Sequence, residues 1–252
     1  QEGLAVKARL AKRICSVAFA ASVLGALPGC ATTADNPKDP YEGFNRAMFS
    51  VNEGLDVVVK PLAQGYDAAA PLPAKVGIGN FFGNLWDVLT AVNNLLQGKG
   101  GEGVSDIGRV LVNSTIGIGG IFDVASEMGM DKHAEDFGQT LGKWGVDAGP
   151  YFYWPIIGPR TTRDTFGWVV DSYMDPLWYF EGVPLRNSLV GVRFVDLRAS
   201  LLPTDKIVDE AAFDKYTYIR DAYLQNRISE INDGNVPIEG RDDAECNLSR
   251  CY

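Results

Sequence analysis

Apolar side chains recur at three- and four-residue steps over residues 41–60, which predicts an amphipathic helix there. Asp39 and Pro40 stand directly before this helix, and they are typical of an N-cap and a first helical position. The apolar face consists of Phe44, Met48, Val51 and Leu55. Three prolines then predict an irregular connector, and they are Pro61, Pro71 and Pro73.

The most apolar stretch covers residues 76–97, where Asp87 is the only charged residue. A helix that is apolar over most of its circumference is either buried or in contact with lipid. A narrow polar stripe nevertheless follows this helix at helical spacing. The stripe consists of Gly83, Asp87, Thr90, Asn94 and Gln97.

A second apolar segment, residues 104–126, follows the glycine-rich turn at residues 98–103. Two such segments joined by a short turn predict an amphipathic helical hairpin. The spacing of Gly79 and Gly83 would let two helices approach closely. Glycines and asparagines interrupt both segments, so neither is a clean membrane span.

The rest of the body is less periodic at first and conventional at its end. Residues 127–160 lack clear periodicity, and 11 of the 27 aromatic residues lie between residues 144 and 180, which fits core packing and a membrane interface equally well. Thr161 or Thr162 can cap a helix, and one long charged helix is predicted from Thr204 to Gly234. Strand-like alternations are few, so residues 40–236 are predicted to be an all-α domain, followed by an acidic, disordered tail at 237–252.

The N-terminus is typical of an export signal. Four cations precede the charge-free run 14–27, which is too short to span a membrane. The sequence Leu27-Pro28-Gly29-Cys30 resembles a lipobox, which predicts removal of residues 1–29 as a signal peptide and acylation of Cys30; an ordinary signal peptide ending at a chance cysteine is the alternative. Ala31 is not the aspartate of inner-membrane retention, so the outer membrane is favoured, with residues 30–39 as a lipidated tether.

The charge balance limits the partners. The chain carries −9 in total, and because residues 1–29 carry +3, residues 30–252 carry −12. Such an acidic body has no footprint for nucleic acid. Near the C-terminus, Cys246 and Cys251 have four residues between them, and they form either a small disulfide loop or two free thiols.

Catalytic chemistry is not indicated. His133 is the only histidine and lies in a charged stretch, which predicts a solvated loop residue. Nucleophile, dinucleotide and phosphate-loop patterns are not found, so we predict neither enzyme activity nor a cofactor. Asp87 and Asp123 are charges within apolar segments; each can cap a helix, pair with Arg109 or face a wet channel, and solvent exposure explains Asp87 equally well.

Several motifs follow one another in a fixed order over residues 37–228: DPYEGFNR at 39–46, VNNLLQG at 92–98, Arg109 with VNSTIGIGG at 112–120 and FD at 122–123, EDFGQTLG at 135–142, Gly145 and GPY at 149–151, GP at 158–159 with RD at 163–164, and RDAY at 220–223. Together they resemble the MlaA/VacJ family of lipoproteins.

This resemblance implies a ring-shaped, monotopic helical membrane protein with a central channel, held at the periplasmic leaflet of the outer membrane. It also implies association with porin trimers and transfer of mislocalised phospholipid to a periplasmic lipid-binding carrier, which maintains lipid asymmetry. The residues expected along the lipid path are Asp87, Asn94, Asn113, Gly117, Gly119 and Gly120. Those expected to brace or gate the channel are Phe44, Asn45 and Asn52. Ordinary packing or capping is the alternative role for each, and a structural lipoprotein that stabilises porins or the envelope without moving lipid is the alternative function.

Overall fold

The computed structural model describes residues 36–235, so the predicted signal peptide, the predicted tail at 237–252, Cys30, Cys246 and Cys251 lie outside the described residues. Within them the regular structure is helical apart from two short strands, which confirms the all-α class. The helices are α1 (Glu42–Ala69), α2 (Leu72–Leu96), α3 (Gly100–Thr115), α4 (Val124–Glu127), α5 (Phe137–Lys143), α6 (Thr162–Met174), α7 (Val183–Ser200), α8 (Leu202–Ala211) and α9 (Lys215–Ile231). A 3-10 helix covers Pro176–Tyr179, and the strands are β1 (Tyr151–Trp154) and β2 (Gly158–Thr161).

Helix α1 is longer than the sequence predicts, and the predicted irregular connector is wrong. The helix continues through Pro61 to Ala69. Pro61 lies on an exposed face, where water can satisfy the carbonyl group that loses its partner. The chain breaks only at Ala70, whose extended backbone is the conformation favoured before a proline. The predicted cap is also wrong, because Tyr41 is the N-cap residue and Asp39 is buried elsewhere.

The predicted helical hairpin is formed by α2 and α3, which pack antiparallel. Asn94 near the end of α2 contacts Asp106 early in α3, whereas Asn84 contacts Ser114 at its end. The close approach lies at Gly103, where a Cβ atom would meet the Leu95 side chain at 2.8 Å. Gly79 has no neighbour within 4 Å of such an atom, so the predicted role of the Gly79–Gly83 spacing is wrong.

A β-hairpin interrupts the helices where the sequence shows little periodicity. Strand β1 pairs antiparallel with β2, with Tyr151 opposite Thr161 and Trp154 opposite Gly158. Each strand has only four residues, which is too short for an alternation to be recognised in the sequence.

The C-terminal part agrees with the sequence at its start and departs from it later. Thr161 caps α6 by accepting a hydrogen bond from the Asp164 amide, as predicted. The long charged helix is instead two helices, because Asp214 starts a new one by accepting from the amides of Tyr216 and Thr217. Helix α9 ends just before Asp233 and Gly234, whose backbones are left-handed.

The distribution of polar and apolar side chains is inverted relative to a water-soluble domain. Among residues 36–235, twenty polar or charged residues are buried, against ten hydrophobic ones, of which four are alanines. Exposed large apolar side chains occur on most of the helices. Because soluble domains bury their large apolar residues first, this surface is built to contact something other than water. In the described part of the chain, each helix is too short or too polar to cross a bilayer.

Candidate functional site

The candidate site is the polar interface between α2 and α3, which we call the seam. Each helix contributes buried positions at three- and four-residue steps, so that the two stripes face each other. The seam residues are Asn84, Asp87, Thr90 and Asn94 from α2 and Gly103, Asp106, Arg109 and Asn113 from α3; all eight are buried.

Helix α3 shows most clearly how the seam is oriented. Its four buried positions are the seam residues, and none carries an apolar side chain. The exposed positions include Val104, Ile107 and Leu111. The helix is therefore amphipathic with its polar face inward and its apolar face outward, the reverse of a helix on a soluble protein.

Arg109 is the centre of the seam and is fully buried. Its Nη2 donates to both oxygens of the Asp123 carboxylate, at 2.9 and 3.1 Å, and its Nε lies 3.6 Å from Asp87 Oδ2. Asn113 Nδ2 donates to Asp123 Oδ1 at 2.9 Å. Burial alone would raise the pKa of Asp123, but hydrogen bonds from Ser126, Asn113 and Arg109 lower it to about 2. This carboxylate therefore stays charged and holds the guanidinium in place.

A second polar contact closes the other end of the seam. Asp106 is buried and accepts from Asn94 Nδ2 at 2.7 Å. Its other oxygen lies 2.8 Å from His133 Nδ1. His133 is three-quarters buried, so the prediction of a solvated loop histidine is wrong.

An extended segment, residues 130–136, crosses both helices over the seam, and we call it the strap. Lys132 Nζ donates to Asp87 Oδ1 at 2.6 Å, and the Met130 carbonyl accepts from Arg109 Nη1 at 2.6 Å. Further along, Glu135 accepts from the Gln97 amide at 2.7 Å. The strap crosses each helix at a glycine: Lys132 lies over Gly83 of α2, and Met130 lies over Gly108 of α3. The polar stripe of α2 is thus covered and does not face solvent, and the expectation of an exposed Asp87 is wrong.

The seam contains buried oxygen atoms that accept no hydrogen bond from any described residue. They are Asn84 Oδ1, Asp87 Oδ2, Thr90 Oγ1 and Asn94 Oδ1. The four residues span ten positions of α2, or about 15 Å of helix. A buried polar group without a partner costs about 1–3 kcal/mol, and this stripe therefore has hydrogen-bond acceptors that the contacts of the described residues leave unused.

The glycines predicted along the lipid path lie at the distal end of the seam, in the turn after α3. Gly120 has a left-handed backbone and packs against Asn84, where a Cβ atom would come within 2.6 Å of the Asn84 side chain. Gly117 is pressed against the Asn113 and Phe122 backbones, whereas Gly119 has open space around it. The structure therefore places Asp87, Asn94 and Asn113 along one seam, with Asn94 at one end and Asn113, Gly117 and Gly120 at the other.

Phe44, Asn45 and Asn52, predicted as a gating segment, lie on α1 against the β-hairpin. The Asn45 amide donates to the Tyr151 carbonyl at 3.0 Å and accepts from the Tyr153 amide at 2.9 Å. Seven residues further along α1, the Asn52 side chain donates to the Trp154 carbonyl at 3.0 Å and accepts from the Ile156 amide at 2.6 Å. The two asparagine side chains thus form hydrogen bonds with the backbone of β1 and of Ile156 just after it, as a neighbouring strand would. Phe44 packs edge-on against Phe152.

The same region anchors the start of the described chain. Asp39 is fully buried and accepts from Asn45 at 2.8 Å, from Arg220 at 3.2 Å and from the Tyr216 hydroxyl. Burial and this contact with the carboxylate raise the pKa of Tyr216. The start of the described chain is thereby fixed to α9, so Asp39, the last residue of the predicted tether, is held in place.

We expect Asn45→Ala to lower the free energy of unfolding by about 1–3 kcal/mol, because it removes partners from Asp39 and from two buried backbone groups of β1. The exposed Asn226, which bonds only Glu230, supplies the matched control Asn226→Ala, expected to change stability by less than about 0.5 kcal/mol. Thermal unfolding of the two purified variants measures the difference. Equal melting temperatures would contradict the bracing role of Asn45.

The comparisons with known proteins decide the family. A family model described as MlaA lipoprotein matches residues 37–230, most of the chain. The chain belongs to the MlaA lipoprotein family. It is 35% identical to the intermembrane phospholipid transport system lipoprotein MlaA of Haemophilus influenzae, covering 84% of this chain and 88% of that one. It is 33% identical to the protein of the same name from Escherichia coli K12, over 83% and 86% of the two chains.

A solved structure agrees with this assignment. It is described as "Structural basis for maintenance of bacterial outer membrane lipid asymmetry", and it matches with a TM-score of 0.67 and 33% identity over 77% of this chain and 98% of that one. The MlaA fold of this chain is therefore shown by sequence and by structure.

Sequence reasoning named Asn113 and the pairing of Arg109 with Asp87 and Asp123, but it missed Asp106 in the seam of this MlaA family member. Asp106, Arg109 and Asn113 recur at helical spacing, and this signal could have identified a polar face on α3. Lys132 gave no usable signal, since a lysine in a charged, non-periodic stretch is ordinarily solvated.

Proposed function

We propose that this protein is an outer-membrane lipoprotein that takes mislocalised phospholipid from the outer leaflet and passes it, without covalent change, to a periplasmic carrier. The observation that carries the proposal is the inverted packing of α2 and α3 in a member of the MlaA family. Anchoring through acylated Cys30 at the periplasmic leaflet, association with porin trimers and the absence of catalysis belong to the same proposal.

The outward-facing apolar surface supports placement in one leaflet. The turn after α3 alone exposes Ile116, Ile118, Ile121 and Phe122. Each large apolar side chain moved from water to lipid contributes about 1.5–3 kcal/mol. Because α3 and this turn are too short to span a bilayer, they suit a protein that enters one monolayer and remains there.

Helix α7 supports a ring with a wet interior. Only Ala199 among its eighteen residues is buried, although the helix packs against α1. Its exposed side chains include Leu185, Val192 and Leu197 as well as polar residues. A helix that contacts fluid on two sides fits a ring whose outer face meets lipid and whose inner face lines a channel.

Within this proposal the predicted site residues have distinct roles. Asp87, Asn94 and Asn113, with Gly117, Gly119 and Gly120, belong to the polar path. Phe44, Asn45 and Asn52 brace the β-hairpin and α1, and a change there would alter how the channel is gated. The contacts of these residues support the division, since the first group meets in the seam and the second along β1.

Deletion of the gene is expected to raise the phospholipid content of the outer leaflet, and the wild-type chain should restore it. Cys30→Ala should lose palmitate labelling and should fail to restore asymmetry, whereas Cys246→Ala should behave as wild type. The measurement is surface-exposed phospholipid, read as lipid A palmitoylation. An unchanged outer leaflet with weakened porin assembly would favour the structural-lipoprotein alternative instead.

A further inference from the structure

Asp87, which lies in the α2–α3 hairpin, binds the ammonium group of Lys132, a residue of the strap. Lys132 Nζ lies 2.6 Å from Asp87 Oδ1, and the two side chains differ sharply in exposure, at 48% for Lys132 and 2% for Asp87. The lysine therefore reaches from solvent into a buried carboxylate. The second oxygen, Asp87 Oδ2, lies 3.6 Å from Arg109 Nε but accepts no hydrogen bond from any described residue.

Four of the five unpartnered seam atoms are oxygens, and the fifth, Arg109 Nε, lies 3.6 Å from Asp87 Oδ2. Asn94 must present its oxygen as an unpaired acceptor, since its Nδ2 is used in donating to the Asp106 carboxylate. The Thr90 hydroxyl and Asp87 Oδ2 add two more acceptors on the same stripe. A row of acceptors is complementary to a group that carries several N–H donors.

The charge of the seam without the strap points the same way. Among the described residues, Asp87 and Asp123 then pair only with Arg109, and Asp106 keeps the neutral Asn94 as its partner. An uncovered seam of this kind is negative and favours a cation, whereas an added anion would be repelled.

The strap is held in a manner that permits release. Residues 131–135 make no backbone–backbone hydrogen bond with any described residue. Their attachment consists of side-chain contacts, above all those of Lys132, His133 and Glu135. Contacts of this type, made by a segment without regular structure, open more readily than a helix or a strand.

We propose that the seam is a binding site for the primary ammonium of an aminophospholipid headgroup, and that Lys132 occupies this site as an internal substitute until lipid displaces it. The inference rests on the proposed lipid transport and adds the headgroup class that the seam accepts. A choline headgroup has no N–H donor for the acceptor row, and a glycerol headgroup has hydroxyl donors but no positive charge for Asp87.

The test uses the full mature lipoprotein and mixed vesicles with equal parts of phosphatidylethanolamine, phosphatidylglycerol and phosphatidylcholine, with bound lipid identified by mass spectrometry after purification. Wild-type protein should favour phosphatidylethanolamine. Lys132→Met removes the competing ammonium and keeps the length of the side chain, so bound phosphatidylethanolamine should rise about fivefold. The control Lys143→Met removes a lysine that pairs with Asp233 outside the seam, and it should bind lipid as wild type does.

A second variant keeps the test decisive if Lys132→Met fails to fold. Thr90→Val removes a hydroxyl that accepts no hydrogen bond from a described residue and nearly preserves the side-chain shape. We expect it to fold and to bind about fivefold less phosphatidylethanolamine. Thr115→Val, at an exposed position of α3 outside the seam, should bind as wild type. Wild-type binding by Thr90→Val, or an absence of headgroup preference in the wild-type protein, would overturn the proposal.

A photoreactive phosphatidylethanolamine with its reactive group on the ethanolamine locates the site. Trypsin cuts after Lys75 and Lys99, so it releases the α2 stripe as residues 76–99, and we expect the label on this peptide. Label confined to other peptides would refute the seam site. If the wild-type gene restores asymmetry while these experiments fail, the seam proposal falls and the transport proposal stands; if the wild-type gene does not restore asymmetry, the transport proposal itself falls.

Discussion

Replacing Arg109 by methionine is expected to lower the free energy of unfolding by about 3–5 kcal/mol, because removal of one partner leaves buried charge uncompensated. Arg109 holds Asp123 through two hydrogen bonds, approaches Asp87 and donates to the Met130 carbonyl. Methionine fills much of the volume but satisfies none of these groups. For a chain of this size we expect the melting temperature to fall by about 10 °C.

The loss should also loosen the strap, since Arg109 is a buried side chain that donates a hydrogen bond to the carbonyl of its first residue, Met130. Limited proteolysis after Lys132 measures this opening separately from global unfolding. Arg186→Met is the matched control, because Arg186 forms no ion pair with any described residue and stacks only on Trp178. The control should cost at most about 1 kcal/mol. Equal melting temperatures for the two variants would mean that the seam does not depend on its central cation.

The position of the polar stripe on α2 could be predicted from the sequence, but its surroundings could not. Spacing alone places Asp87 and Asn94 on one face of a helix. Whether that face is buried or exposed depends on α3 and on the strap, which cover it. The strap has no periodic pattern from which its position could be predicted. The sequence therefore left open whether Asp87 pairs with Arg109, faces a wet channel or is exposed, and the structure places it in a covered seam beside Arg109.

The errors at α1 and at the β-hairpin have a common physical origin. Pro61 normally ends a helix, but here its face of α1 meets no other element, so the missing hydrogen bond is tolerated. Strand β1 is stabilised by the Asn45 and Asn52 side chains more than a hundred residues away in sequence. Neither the exposure of Pro61 nor the contacts of the two asparagines can be predicted from local propensity, because both depend on the tertiary structure.

The crossing of α5 and α6 is another feature that the sequence hides. Gly138 and Gly167 meet there, and a Cβ atom on Gly167 would lie 2.4 Å from the Gly138 nitrogen. This close approach places Arg227 beside Asp136 and Asp164, and it lets the Phe137 amide donate to Asp171 at 2.9 Å. Burial raises the pKa of Asp171 to about 6 despite that hydrogen bond. Two glycines far apart in sequence thus permit a charged cluster to form between helices.

We therefore expect Gly167→Ala to be among the most damaging single-methyl additions in the protein. The added carbon would overlap backbone atoms of Gly138 and Phe137, which cannot rotate away as a flexible side chain could. The helices would have to separate, and the cost should reach about 3 kcal/mol or more. Gly191→Ala is the matched control, since that position in α7 has no atom within 4 Å of an added Cβ.

In the control, alanine should stabilise the helix by about 0.5–1 kcal/mol, because glycine loses more backbone entropy on folding. The two substitutions are chemically identical and lie in helices of the same chain, so opposite shifts in melting temperature isolate the effect of the close approach. If Gly167→Ala melts with or above the wild-type protein, α5 and α6 do not cross as closely as described, and the charged cluster around Arg227 must be held by other contacts.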